Sequence, residues 1–201
     1  MIHGIRGDGG SSLPIFVWLA GAVLFAAFAF FAFAQAAVAR NGAQSAADAA
    51  ALAAAQEARE GLIEGLLLAA EEGDSWDEWL DGRRPHGMDA RGAADVLAAR
   101  NQAAVVQFGE VEVRGDQGFS VEVRASEPVG DSVIPATGGM HAKATAVAVV
   151  SPRCEISSDV NPAEQVSFHC PDGVNVDLDV GDVDQSDLPD PSELFLVHLA
   201  G

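Results

Sequence analysis

An apolar run near the N-terminus constrains this chain more than any other feature. Residues 13–34 are 22 positions without a charged side chain. As an α-helix they would extend roughly 33 Å, about the thickness of the hydrocarbon core of a bilayer. Ser11 and Ser12 can cap such a helix, and Pro14 suits its first turn. The run therefore predicts a membrane-spanning helix whose first partner is the lipid bilayer.

A secretory signal peptide is the alternative interpretation of this run. The tripeptides at 34–36 and 37–39 both have the small-residue pattern of a cleavage site. The run is longer than a typical signal core, which favours a helix that stays in the membrane. We therefore predict a short cytoplasmic lead at residues 1–12 and a single transmembrane helix at residues 13–38.

The helical pattern continues beyond the apolar run. Residues 36–72 contain no proline and are rich in good helix formers, which predicts an alanine-rich helix over residues 39–73. It either continues the apolar span as one helix of roughly 60 residues or is separated from it by a bend at residues 40–42. Alanines recur four residues apart, so another backbone could approach closely. Either the chain's own domain or a second subunit could cover this surface. The predicted packing face comprises Ala39, Ala43, Ala47, Ala51, Ala55 and Asp48, with a second row at Ala46, Ala50, Ala54 and Ala58.

Residues 74–153 have the pattern of a small α+β domain. Apolar residues at helical spacing predict a short helix over residues 88–104. Alternating segments at 106–114, 119–124 and 141–150 predict a three-stranded antiparallel meander, with a turn at 115–118. The apolar residues at 188–199 are expected to dock back on this domain as a strand or a turn of helix. The fold class is therefore α+β.

The charge balance excludes a nucleic-acid footprint. The chain has 30 acidic against 11 basic residues and a formal net charge of −19. We predict a solvated acidic region over residues 154–201, which contains no lysine or arginine. Calcium binding by carboxylates is the alternative for this region, although it lacks the loop pattern of an EF-hand. The acids concerned are Asp172, Asp177, Asp179, Asp182, Asp184 and Asp187.

Cys154 and Cys170 are the two cysteines of the chain. A bridge between them would close a short loop, which predicts a disulfide and an oxidising exterior around this region. Two free thiols, or a metal site that includes His169, are the alternatives. An exterior C-terminal region places the N-terminus in the cytoplasm.

Motifs for catalysis are absent from the sequence. It contains no nucleophile elbow, no zinc-protease helix and no phosphate-binding glycine loop, and its histidines are scattered. Asp172 and Asp177 could act as an acid/base pair only if folding placed them in a cleft. We predict a protein that is not an enzyme, with no cofactor, no metal site and no catalytic residue.

The N-terminal segment carries a family resemblance. Residues 7–12 precede the apolar span, and a Gln-Ser-Ala-Ala-Asp-Ala-Ala-Ala-Leu-Ala helix follows it at residues 44–53. This arrangement resembles the TadE/TadG-like proteins of tight-adherence (Flp) pilus assembly. Ile15 lies five residues after Gly10, where a processed pilin would have glutamate, which argues against prepilin peptidase cleavage. Abundant alanine, glycine and aspartate are typical of a GC-rich genome and predict the actinobacterial type of this family.

The resemblance implies a pilin-like or accessory component of pilus assembly or a related secretion machinery. Its implied partners are other pilus-assembly or secretion proteins, with possible self-association through the alanine-rich helix. The alternative function is a membrane-tethered extracytoplasmic module that binds calcium or a cationic envelope component. Calcium-dependent melting would separate these two hypotheses.

Overall fold

The computed structural model describes residues 12–72, 79, 89–128, 139–156, 165–171, 173, 175–179 and 189–201 of the chain. The backbone divides into two units, Met1–Val38 and Ala39–Gly201. Helix α1, Ser12–Glu72, supplies the described part of the first unit and the beginning of the second. The predicted lead at residues 1–12 lies almost wholly outside the described residues.

Helix α1 is a single element of 61 residues. Of the two alternatives left by the sequence, this agrees with one long helix, because helical structure continues through Gly42. Gly61 and Gly65 are likewise helical. The neighbouring residues, mostly alanine, leucine and glutamate, are strong helix formers, and they offset the low helix propensity of each glycine.

Gly65 is present because Trp79 needs the space above it. A Cβ at Gly65 would overlap the indole ring of Trp79, which packs against the hydrophobic core. The half-buried Trp79 thus packs on the α+β unit.

Gly65→Ala should therefore destabilise the protein although alanine is the better helix former. We expect a net loss of about 1–2 kcal/mol, because the overlap with Trp79 outweighs the gain in helix propensity. Gly42→Ala is the matched control, since an added Cβ there meets nothing within 4 Å. It should stabilise by about 0.5–1 kcal/mol in the same denaturant titration. Equal effects at both positions would contradict this packing.

The larger sheet confirms the predicted meander and extends it. Strands β1, Ala103–Val113, β2, Asp116–Pro128, and β3, His141–Pro152, are successive antiparallel neighbours. A fourth strand, β7, Phe195–Leu199, pairs with β3, so the strand order is β1-β2-β3-β7. The sequence predicts that the C-terminal apolar segment docks as a strand or a turn of helix, and the segment contains both. The short helix α3, Pro191–Leu194, leads directly into β7.

Several element boundaries differ from the sequence predictions, and at two of them the backbone conformation gives the reason. Helix α2 covers Ala90–Arg100 and stops short of the predicted residue 104, because Gln102 turns the chain at φ 56°. The first hairpin turn lies at Arg114 and Gly115, which have φ 58° and 98°. Two central residues with positive φ match the twist of the flanking strands, so Asp116 already belongs to β2.

The described part of the acidic region is folded rather than a solvated tail. Strands β4, Glu155–Ile156, β5, Gln165–His169, and β6, Asn175–Asp179, form a second antiparallel sheet in the order β4-β5-β6. Its register pairs Val166 with Leu178 and Phe168 with Val176. These apolar positions alternate with the polar and acidic ones, and this alternation is the strand signal that the acid content obscures.

The core of the second unit is made largely of small side chains. The alanines of α1 share one buried cluster with Val121 and Val123 of β2 and with Ala146 and Ala148 of β3. Helix α2 contributes three buried alanines, and the largest fully buried side chains include Phe168 and Phe195. Small side chains permit close packing of backbones, so the alanine spacing of α1 is matched by alanines on the sheet.

Candidate functional site

The predicted packing face of α1 lies in the interior of the second unit. Four of its alanines are at most 1% exposed, namely Ala43, Ala47, Ala51 and Ala55. Ala39, at the start of the face, is half-buried. The second alanine row is also buried. From Ala46 onwards, these alanines share one buried cluster with side chains of the chain's own sheet and of helix α2.

Asp48, the carboxylate within the alanine stripe, has a local partner. The side-chain amide of Gln44 donates a hydrogen bond to Asp48 Oδ1 at 2.8 Å, one helical turn away. Asp48 is half-buried at the border of the packed face. A hydrogen-bonded carboxylate at this border fits a role in solvation of the helix edge.

The disulfide joins Cys154 to Cys170 across 16 positions of sequence. Cys154 follows strand β3 and Cys170 follows β5, and both half-buried cysteines pack against the hydrophobic core. Arg153, next to the bridge, donates from its backbone N–H to the carbonyl of Leu194 at 2.8 Å. Its guanidinium Nη1 also donates to the carbonyl of Ser192 at 3.0 Å. The bridge therefore joins the two ends of the β4–β5 segment, and the neighbouring Arg153 holds the segment that leads into β7.

Asp190, at the start of α3, is a carboxyl group whose pKa is shifted by its neighbours. Asp190 accepts hydrogen bonds from the hydroxyl and from the backbone N–H of Ser192, the latter at 2.8 Å. These bonds, with a smaller contribution from the positive charge of Arg59, hold the pKa of the Asp190 carboxyl below its usual range. Asp190 is thus an N-cap that favours its ionised form.

Asp190→Asn should weaken the protein in a pH-dependent way. Because the folded-state pKa is lowered, the ionised carboxyl stabilises the fold above its unfolded pKa, and this contribution is lost as pH falls through the folded value. Asparagine keeps a capping oxygen but has no charge. The difference in Tm between wild type and variant should be present at about pH 6 and shrink below about pH 4. A difference that does not change with pH would contradict this role.

The acidic residues considered for calcium are brought together only in part. Asp177 and Asp179 are exposed on β6, and Asp177 accepts a hydrogen bond from the hydroxyl of Ser167. The other four, Asp172, Asp182, Asp184 and Asp187, lie outside the described residues. Among the residues that the structure describes, no group of three or more metal-ligating side chains occurs.

The apolar half of α1 is long and apolar enough to cross a membrane. Its side chains from Leu13 to Val38 are exposed throughout, including Phe16, Trp18 and Phe33. Exposed aromatic and aliphatic side chains on every side of a helix are suited to lipid rather than water. In the described residues, one candidate membrane helix thus precedes a packed α+β unit along the chain.

These features define a class: a protein with one candidate membrane helix that continues into the core of a small, disulfide-containing α+β unit. Residues 10–57 match the family model described as "Putative Flp pilus-assembly TadE/G-like". The chain therefore carries a TadE/G-like segment, as its sequence resemblance suggests. The match covers the apolar span and the first part of the alanine-rich helix. It supports involvement in Flp pilus assembly and contact with the membrane and other pilus proteins. No curated protein and no solved structure matches this chain.

Proposed function

We propose that this protein is a membrane-anchored, non-catalytic component of Flp pilus assembly, either pilin-like or accessory. The observation that carries the proposal is the family match at residues 10–57, which falls on the one helix that serves both units. Upstream of Ala39 this helix offers lipid-compatible side chains, and downstream it supplies the core of the α+β unit. The proposed anchor and the first core element are thus successive parts of one continuous helix.

The proposed orientation places the N-terminus in the cytoplasm and the α+β unit outside. The disulfide between Cys154 and Cys170 supports this direction, because such bonds persist in oxidising compartments. The net charge of −19 also favours a unit that is held in solution away from anionic lipid headgroups. Alkaline phosphatase fused after Gly201 should be active in cells, and an inactive fusion would contradict this orientation.

The test of the function is a deletion followed by complementation. Cells without the protein should display few or no Flp pili by electron microscopy, and the full chain should restore them. A chimera in which residues 13–34 are replaced by an unrelated membrane span keeps the alanine-rich face and the α+β unit. If the chimera restores pili, the apolar span serves only as an anchor. If it does not, the span has a further role in assembly. Normal pili in the deletion strain would overturn the proposal.

The second candidate is a membrane-tethered module that binds calcium or a cationic envelope component. The observation in its favour is the pair of exposed aspartates, Asp177 and Asp179, on one face of β6. Binding to the native state would raise Tm with ligand concentration. A rise in Tm with calcium that is absent in the Asp177→Asn, Asp179→Asn variant would favour this function, whereas no rise would exclude calcium as the ligand.

A further inference from the structure

Strand β1 is an edge of the larger sheet. In the described residues it pairs with β2 on one side and with no strand on the other. A bulge interrupts the ladder between Val105 and Gln107, and the register then continues without a break to Val113. The regular part of β1, residues 107–113, therefore presents a row of backbone N–H and C=O groups that the sheet itself does not use.

Side chains along this stretch leave the edge accessible. Gln107, Glu110 and Glu112 are exposed, and Val106 beside the bulge is 39% exposed. An added Cβ at Gly109 would meet no atom within 4 Å. Exposed polar side chains therefore alternate along the unpaired edge with half-buried residues such as Phe108 and Val111.

The edge has only part of the usual protection against strand addition. Natural edge strands are commonly short, or carry charges, proline or a bulge. Strand β1 has 11 residues without proline or lysine, and its protection consists of the bulge after Val105 and of two glutamates. Like charges directly opposite each other destabilise a strand pair, so Glu110 and Glu112 disfavour pairing of β1 with the β1 of a second copy. They favour a strand of opposite charge.

We propose that residues 107–113 of β1 are a docking edge for an extended, basic segment of a partner protein, which adds as a fifth strand. Glu110 and Glu112 lie on one face of the strand, about 7 Å apart, while Val111 lies on the other face. Directly opposed residues share a face, so the partner needs lysine or arginine at two alternate positions with a small apolar residue between them. The charge of −19 attracts such a segment at long range.

This inference adds a partner chemistry to the proposed function, and the two can fail separately. The binding experiment contains no pilus component, and the pilus experiment contains no peptide. The Glu122 carboxylate does not contribute to the docking edge, because it is paired with Lys143 Nζ at 2.9 Å on the opposite face of the sheet.

The experiment measures peptide binding to the full chain in nanodiscs. The probe is a short labelled peptide with two lysines flanking a central valine and threonines elsewhere, and its binding is followed by fluorescence anisotropy. Glu110→Lys combined with Glu112→Lys should weaken Kd about tenfold, because two attractive cross-strand pairs become repulsive. The same variant should gain affinity for the peptide in which glutamates replace the lysines.

Glu60→Lys combined with Glu64→Lys is the matched control, because it makes the same change of charge on exposed residues of α1, a helix with no unpaired strand edge. It should bind the lysine peptide like wild type. Strand addition uses the backbone N–H of every second peptide residue. N-methylation of alternate residues should therefore abolish binding for one of the two alternating sets of positions and not for the other. Equal loss in both variants, no binding to wild type, or indifference to N-methylation would each overturn the proposal.

Discussion

Ala50→Leu is expected to destabilise the α+β unit strongly. Ala50 is 0% exposed and belongs to the buried cluster that α1 forms with the sheet and α2. A leucine adds three carbons where no space exists, and overpacking of this kind costs about 1–3 kcal/mol. The expected fall in Tm is about 2–12 °C, measured on the full chain by circular dichroism in detergent micelles.

Gln56→Leu is the control for this prediction, because Gln56 is on the exposed side of the same helix. Its effect should stay within about 0.5 kcal/mol. The comparison also separates the two ways in which the alanine face could be covered. If another subunit covered it, Ala50→Leu would leave Tm unchanged and disrupt assembly instead, so an unchanged Tm would contradict the intramolecular packing described above.

Loss of the disulfide should have the second large effect. Replacement of both Cys154 and Cys170 by serine removes a cross-link over 16 positions, which is worth about 3 kcal/mol through the entropy of the unfolded chain. Guanidinium titrations of wild type, with and without dithiothreitol, and of the double variant provide the measurement.

Reduced wild type should match the double serine variant in its unfolding midpoint. Thiol labelling of unfolded protein from cells should find no free cysteine, because the bridge forms in an oxidising compartment. Full labelling of both cysteines would contradict the exterior location. An unfolding midpoint that reductant does not change would contradict the stabilising role of the bridge.

The elements with strong local signals could be predicted from the sequence. Helix α1 follows from a long stretch without charge and then a long stretch without proline, and the glycines within it do not stop it. The meander follows from alternation, and the Cys154–Cys170 bridge from the presence of two cysteines in one region. Each of these signals is carried by residues that lie close together in the sequence.

Features that depend on distant residues could not be predicted in the same way. The alanine stripe alone does not say whether its own sheet or a neighbour covers it, and the matching alanines of β3 lie about a hundred residues later. The pairing of β7 with β3 likewise joins segments separated by the whole of the smaller sheet. Acidic residues on β6 obscured the alternation that makes this segment a strand.

The position of β1 at an exposed edge of its sheet could also not be predicted from the sequence. Alternation shows that residues 106–114 form a strand, but the position of a strand within its sheet depends on which segments pair with it. Only the observed order β1-β2-β3-β7 places Glu110 and Glu112 on an open edge. The same order places the short β7 at the opposite edge.

Site-specific photocrosslinking in native membranes tests the central claim most directly. A photoreactive amino acid is placed at Leu24 in the apolar span and, separately, at Ser45 and Gln56 on the exposed side of the alanine-rich part. Membrane-anchored participation in pilus assembly predicts that the chain sediments with membranes and that the crosslinked proteins, identified by mass spectrometry, are Flp pilus-assembly components. A chain that stays in the soluble fraction, or that crosslinks from all three positions without any pilus-assembly component, would contradict it.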